Sequence, residues 1–249
     1  MLYVKRITLE GDLPADSYLH HLPAVRYLAE NPITLEKPVT IFVGENGSGK
    51  STLVEAIAVA LGFNPEGGTR NFAFSTHNSH SPLHESICVA RSTARIKDGF
   101  FLRAESFYNV ATNIEEMDRQ PACSRRIIES YGGVSLHDQS HGESFMARVE
   151  NRFSGHGLYI LDEPEAALSP MRLMRLLCRM RELVEKDSQF IISTHSPMLL
   201  AFPDADVREI TAEGIRPVSF RDTEHWQTMK MFMDDPGRML HYLFAEEER

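Results

Sequence analysis

The sequence predicts an α/β fold built on a mainly parallel sheet, and three observations carry that prediction. Two short, unbroken apolar runs, "GLYIL" (157–161) and "QFIIS" (189–193), flank the amphipathic stretch "PMRLMRLLCRMRELVEK" (170–186). A third run, "VTIFV" (39–43), leads into a glycine-rich turn and then a helical pattern, "STLVEAIAVALG". Buried strands alternating with helical periodicity form a sheet whose strands run parallel under a cover of helices.

Taken in order, "LYVKRITL" (2–9) alternates as a strand, and "VTIFV" is a β-branched run of the buried kind. The helix opening near Ser51 is closed by Gly62 in the C-terminal capping position. An irregular loop follows, "NPEGGTRNFAFSTHNSHSPLH" (64–84). "ESICVARSTARIKDGFFLRAESF" (85–107) then predicts two strands joined as a hairpin around Lys97-Asp98-Gly99. Residues 109–131 read as polar helix broken at Pro121, and "VREI" with "IRPV" as a hairpin before a helical tail. The expected organisation is one domain over 1–249, with an antiparallel subdomain, a small helical lobe at about 107–145, and a C-terminal hairpin and tail over 203–249.

Composition narrows the function classes. With 42% hydrophobic and 24% charged residues, the 249-residue chain buries a sizeable core without staples. Cys88, Cys123 and Cys178 are odd in number and lack metal-ligand spacing, which points to a reducing compartment. Neither a signal-peptide pattern nor a long apolar span is present, so a cytoplasmic protein without membrane insertion is expected. A net charge of -9 argues against general polyanion binding while leaving room for a local basic patch.

"GENGSGKS" (44–51) matches the phosphate-loop pattern G-x-x-x-x-G-K-[ST], set between a buried strand and a helix. Glycines 44, 47 and 49 let the backbone curl so that successive amides face phosphate oxygens, with the positive end of the helix dipole behind them. Asn46, Gly47, Ser48, Gly49, Lys50, Ser51 and Thr52 are the expected nucleotide-binding set. Lys50 is expected to reach the β- and γ-phosphates and the Ser51 hydroxyl to ligate Mg²⁺.

"LYILDEPEAAL" supplies carboxylates at the end of a strand. Asp162 stands where a P-loop enzyme holds Mg²⁺, and Glu163, one position on, is the candidate to orient or deprotonate the attacking water. "FIISTHSP" puts His195 after the next buried strand, as a candidate sensor of the γ-phosphate. In a parallel sheet the C-terminal strand ends share one edge, so Lys50, Asp162, Glu163 and His195 are expected to converge.

The ordered set "GENGSGKST", "LDEPEAALS" and "STHSP" resembles the ABC-type ATPases, and among them the soluble SMC/RecF-like heads and small stand-alone ATPases more than transporter subunits. The resemblance runs from Leu2 to about Ala201. It implies that "QSHGES" stands at the signature loop, where Ser140, Gly142 and Glu143 would bind the γ-phosphate held by an opposing copy. It further implies ATP and Mg²⁺ as ligands, ATP hydrolysis, and a head-to-tail homodimer on ATP binding. His141 departs from the family's glycine, Ser169 stands where many relatives have aspartate, and no glutamine occurs between Lys50 and Met117 to supply the family's Q-loop. Ser75, Thr76 or His77 are candidate replacements, and Tyr3, Tyr18 and Tyr27 are candidates to stack on adenine. The client stays open: DNA or a nuclease or effector partner, a transporter's membrane subunits, or a nucleotide-gated interaction or toxin-component module. With Lys50 and Ser140 only 90 positions apart, no long coiled coil fits between the lobes.

Two weaker patterns are read as structure rather than function. His77, His80 and His84 have metal-ligand spacing but lie in a Ser/Asn/Pro-rich loop. Arg172, Arg175 and Arg179 share one face of the 170–186 helix, a solvated face rather than a nucleic-acid patch. Arg70 shortly after the phosphate-loop helix reads equally as a structural or a phosphate-reaching residue.

Overall fold

A computed structural model of the chain describes residues 1–69, 81–103 and 141–246. Ser140, Arg70, Ser75, Thr76, His77, His80, Cys123 and most of the expected helical lobe lie outside the described residues, as does the side chain of His141.

The strands are β1 (Val4–Leu9), β2 (Ile33–Thr34), β3 (Val39–Gly44), β4 (Ile87–Arg91), β5 (Asp98–Arg103), β6 (Gly157–Asp162), β7 (Gln189–Ser193), β8 (Asp206–Thr211) and β9 (Gly214–Pro217). The helices are α1 (Pro23–Glu30), α2 (Lys50–Ala60), α3 (Leu83–Ser86), α4 (His141–Arg152), α5 (Pro170–Glu185), α6 (Pro197–Leu200), α7 (Glu224–Asp234) and α8 (Pro236–Glu246). Among the described residues six strands form the main sheet in the order β5-β6-β7-β3-β8-β9, parallel except for the β8–β9 pair. A smaller antiparallel sheet has the order β2-β1-β4.

Strand alternation sorts the core into two layers. Val39, Ile41 and Val43 of β3 with Tyr159 and Leu161 of β6 face α4 and α5, where Phe145, Val149, Leu176 and Met180 are buried. Phe42, Leu158 and Ile160 point the other way, onto Leu53, Val54 and Ile57 of α2 and onto the antiparallel sheet. All residues of β3, β6 and β7 are buried, which is why these strands read as unbroken apolar runs. At the end of α2, Gly62 adopts φ 84°, the left-handed C-terminal cap expected of it.

Gln189 joins the two sheets. Its side-chain Oε1 accepts from the backbone of Tyr3 at 2.7 Å and of Val4 at 2.8 Å, and its Nε2 donates to Val4 O at 2.9 Å. A buried amide thereby substitutes for a strand-to-strand ladder.

The predicted hairpin around Lys97-Asp98-Gly99 does not form. β4 pairs antiparallel with β1, whereas β5 pairs parallel with β6 in the other sheet, so 92–97 is a crossover between sheets. Asp98 is the reason: its buried carboxylate accepts from Tyr159 Oη at 2.8 Å, Ser154 N at 2.9 Å and Arg152 Nη1 at 2.9 Å. A residue read as a turn former anchors the C-terminal end of α4 to the sheet, and burial beside it pushes the Tyr159 hydroxyl's pKa up. Replacing Asp98 with Ala leaves Arg152 and the Tyr159 hydroxyl without this acceptor, an expected loss of about 3 kcal/mol of stability, read from urea unfolding.

Candidate functional site

The loop after β3 is shaped by glycines whose backbone admits nothing larger. Gly44 has φ 157°, and a Cβ there would stand 2.4 Å from Ile210 O of β8. Gly49, at φ 92°, caps α2 where a Cβ would press on Ala24 at 3.1 Å. Among the described residues no side chain caps the α2 N-terminus, and its amides and dipole face the loop interior. Lys50 is 4% exposed and donates from Nζ to Gly44 O and Glu45 O, both at 2.9 Å. Burial lowers its pKa, opposed by the negative charges of Glu163, Asp162 and Glu165. A cavity of about 330 Å³ opens on this loop, lined by residues 44–48, by Glu209 to Ala212 at the end of β8, and by Glu224 and His225.

Asp162 ends β6 opposite Ser193 of β7, whose hydroxyl donates to Asp162 Oδ1 at 2.5 Å. Burial raises the pKa of this carboxylate, while hydrogen bonds from Ser193 and Ser51 and the guanidinium of Arg103, with Nε 3.4 Å from Oδ2, favour its charged form. Arg103 in turn pairs with the buried carboxylate of Glu55 on α2, which accepts from Ser81 N at 2.8 Å. The oxygen donors of Ser51 and Asp162 are adjacent, and such a hard-oxygen pair suits Mg²⁺.

Glu163 has φ 48° and ψ 52°, a left-handed conformation that costs a non-glycine residue roughly 1–2 kcal/mol. Its amide is held by Ser193 O at 3.0 Å, and its Oε1 lies 3.5 Å from His195 Nε2. Strain held at a strand end by surrounding bonds is a mark of functional positions. The His195 backbone amide donates to Glu165 Oε1 at 2.5 Å, and burial raises the Glu165 pKa. His195 Nδ1 is 2.9 Å from His225 Nε2.

The structure therefore brings Lys50, Ser51, Asp162, Glu163 and His195 to one edge of the sheet. Gly142 and Glu143 pack on the segment that follows Glu163: a Cβ on Gly142 would meet Ala167 O at 2.8 Å, and Glu143 pairs with Arg172 at 3.0 Å. Tyr3 is 2% exposed and donates to Asp187 O, so it is not available to stack on a base, and Tyr27 packs against Gly214. The arginines of α5 are paired, Arg172 with Glu143, Arg175 with Glu150 and Arg179 with Glu182, so they do not form an unpartnered basic patch. Among the described residues no cluster of three or more metal-ligating side chains is present, and no helix is long and apolar enough to cross a membrane.

Four residues of this neighbourhood escaped the sequence reading. Glu165 stood inside a quoted motif, and only its burial against the His195 amide distinguishes it. Arg103, Glu55 and His225 arrive from distant elements with no local pattern to announce them.

His195 titrates at about 4 rather than the ordinary 6.5, because burial disfavours the imidazolium and the charges of Lys50 and His225 add to that. The unfolded chain therefore takes up this proton first on acidification. His195's contribution to stability is complete above about pH 6.5 and is lost as pH falls toward 4, the sign expected for a depressed folded-state value. The fall in melting temperature between about pH 7.5 and about pH 5 should be smaller in His195→Gln than in the parent.

Comparison with known proteins finds similarities over much of the chain. A family profile described as "AAA domain" matches residues 21–142, and one described as "AAA domain, putative AbiEii toxin, Type IV TA system" matches residues 134–201. Each profile spans less than half of the chain, and together with the glycine-shaped loop they mark a similarity to AAA-domain P-loop proteins. The nucleoside import ATP-binding protein NupA of Lactococcus lactis is 24% identical over 184 residues, 68% of this chain and 36% of that protein. A Rhizobium etli protein named "Putative ribose/galactose/methyl galactoside import ATP-binding protein 1" is 23% identical over 229 residues, 84% of this chain and 43% of that protein. The chain thus spans less than half the length of these curated relatives. Among solved structures, cbiO1 from Clostridium perfringens, part of the ABC transporter complex cbiONQ, superposes with a TM-score of 0.52 at 16% identity, covering 98% of this chain and 99% of that one. That likeness is one of fold.

Proposed function

We propose that the protein binds ATP with Mg²⁺ and hydrolyses it to ADP and phosphate, with two copies closing head to tail on the nucleotides. The observation that carries this reading is the convergence of Lys50, Ser51, Asp162, Glu163 and His195 on the open phosphate loop. Lys50 and the loop amides bind and orient the β- and γ-phosphates, and their fixed dipoles stabilise charge as the bond to the γ-phosphate breaks. Ser51 and Asp162 would hold the Mg²⁺, which when bound would neutralise phosphate charge. Glu163 accepts a proton from the attacking water, and His195 donates a hydrogen bond to the γ-phosphate.

Ser140, Gly142 and Glu143 complete the site from the opposing copy in this reading. Its support is that Gly142 and Glu143 rest on the segment following Glu163 of their own chain, which places the start of α4 beside the carboxylate motif rather than within the phosphate loop. The role of the cycle is read as DNA maintenance or defence in the cytoplasm, through DNA or a nuclease or effector partner.

A second reading, the ATP-binding subunit of a transporter, is favoured by the two import ATP-binding relatives. Phosphate release measured with Mg·ATP tests the activity: steady turnover supports it, and none at saturating ATP opposes it. Strong stimulation of that rate by DNA selects the first role over the second.

A further inference from the structure

His195 is held from two sides. Its backbone amide is fixed by Glu165, and its ring meets that of His225, Nδ1 to Nε2 at 2.9 Å with the ring planes 47° apart. His225 sits in the first turn of α7, whose start is itself built. Thr223, fully buried, accepts from Trp226 N at 3.3 Å and donates to Phe220 O at 2.6 Å, and Phe220 meets Trp226 edge to face at 5.0 Å. The remaining ring nitrogen, His195 Nε2, is buried without a hydrogen-bond partner among the described residues and faces Glu163 Oε1 at 3.5 Å.

Proton accounting then selects one arrangement. Two N–H groups cannot meet head on at 2.9 Å, so one ring donates and the other accepts. If His195 Nδ1 donated, Nε2 would turn a lone pair toward the Glu163 carboxylate and toward any phosphate oxygen. If His225 Nε2 donates, His195 carries its proton on Nε2, and a donor faces those acceptors. We propose that His225 is a positioning residue that donates its Nε2–H to His195 Nδ1 and so holds His195 as the neutral Nε2–H tautomer, aimed at the anion of the site. Burial and the nearby Lys50 cation lower the pKa of both rings, which keeps them neutral as this arrangement needs. That the anion is the γ-phosphate of ATP rests on the function proposed above; the tautomer itself does not.

The test has two arms. Imidazole ¹⁵N shifts of His195 in the parent protein are expected to show pyrrole-type Nε2 and pyridine-type Nδ1; the reverse assignment overturns the proposal, with or without ATPase activity. His225→Phe keeps the ring volume and removes the donor, and should lower the rate of phosphate release about 10–100-fold, on the scale of losing the outer partner that orients a metal-bound histidine. The loss should fall on kcat more than on KM for ATP, because Lys50 and the loop amides, which bind the phosphates in the proposed function, are untouched. His225→Gln, whose amide N–H replaces Nε2–H, should recover most of the rate and the parent tautomer. An unchanged tautomer and rate in His225→Phe would overturn the proposal. A parent protein that shows the expected shifts but never hydrolyses ATP would overturn the ATPase reading and leave the tautomer assignment standing.

Discussion

Lys50→Ala is expected to lower the affinity for ATP on the order of 100-fold or more, because truncating one partner of a buried, hydrogen-bonded charge pair costs about 2–5 kcal/mol. Lys50 is 4% exposed and its ammonium donates to Gly44 O and Glu45 O, so the loop already holds the cation where phosphate oxygens are expected to arrive. Burial lowers its pKa, but Glu163, Asp162 and Glu165 stand close enough to favour the charged form. Alanine removes the charge and leaves the glycine-shaped backbone, so the variant should fold and fail to bind. Titration with a fluorescent ATP analogue checks this, and an affinity within about threefold of the parent contradicts it.

Glu163→Gln is expected to slow phosphate release by roughly a thousandfold, within the range for removing a general base, with ATP affinity nearly unchanged. The substitution is isosteric and keeps the hydrogen bond that the residue 163 backbone N–H donates to Ser193 O, which fixes the strained turn. Only the capacity to take a proton from water is lost. Single-turnover phosphate release is the direct measurement. Unchanged turnover would shift the base to another carboxylate, and Glu165, whose Oε1 is engaged by the His195 amide, would be the first to test.

Much of this site was legible in the sequence because its parts are local. The β3 strand, the glycine turn and α2 adjoin in the chain, and Asp162 with Glu163 ends an apolar run whose burial on both faces follows from composition alone. His195 was found the same way, through strand ends sharing one edge. Where contacts join distant elements, local pattern gave no purchase. Asp98 looked like a turn residue beside Gly99, yet its carboxylate gathers Tyr159, Ser154 and Arg152 from more than fifty positions away, and the hairpin gave way to a crossover. His225 lies 30 positions beyond His195, past a hairpin and inside a helix whose periodicity says nothing of a ring on its first turn. The Glu55–Arg103–Asp162 chain of charges likewise joins α2, β5 and β6, which only the folded sheet brings together.

The central claim of the proposed cycle is that two copies share the nucleotides. Sedimentation of Glu163→Gln in Mg·ATP tests it directly. The account predicts a species of twice the 28.2 kDa of one chain with ATP and a single chain with ADP. A protein that binds ATP at the phosphate loop and stays a single chain in both would contradict it.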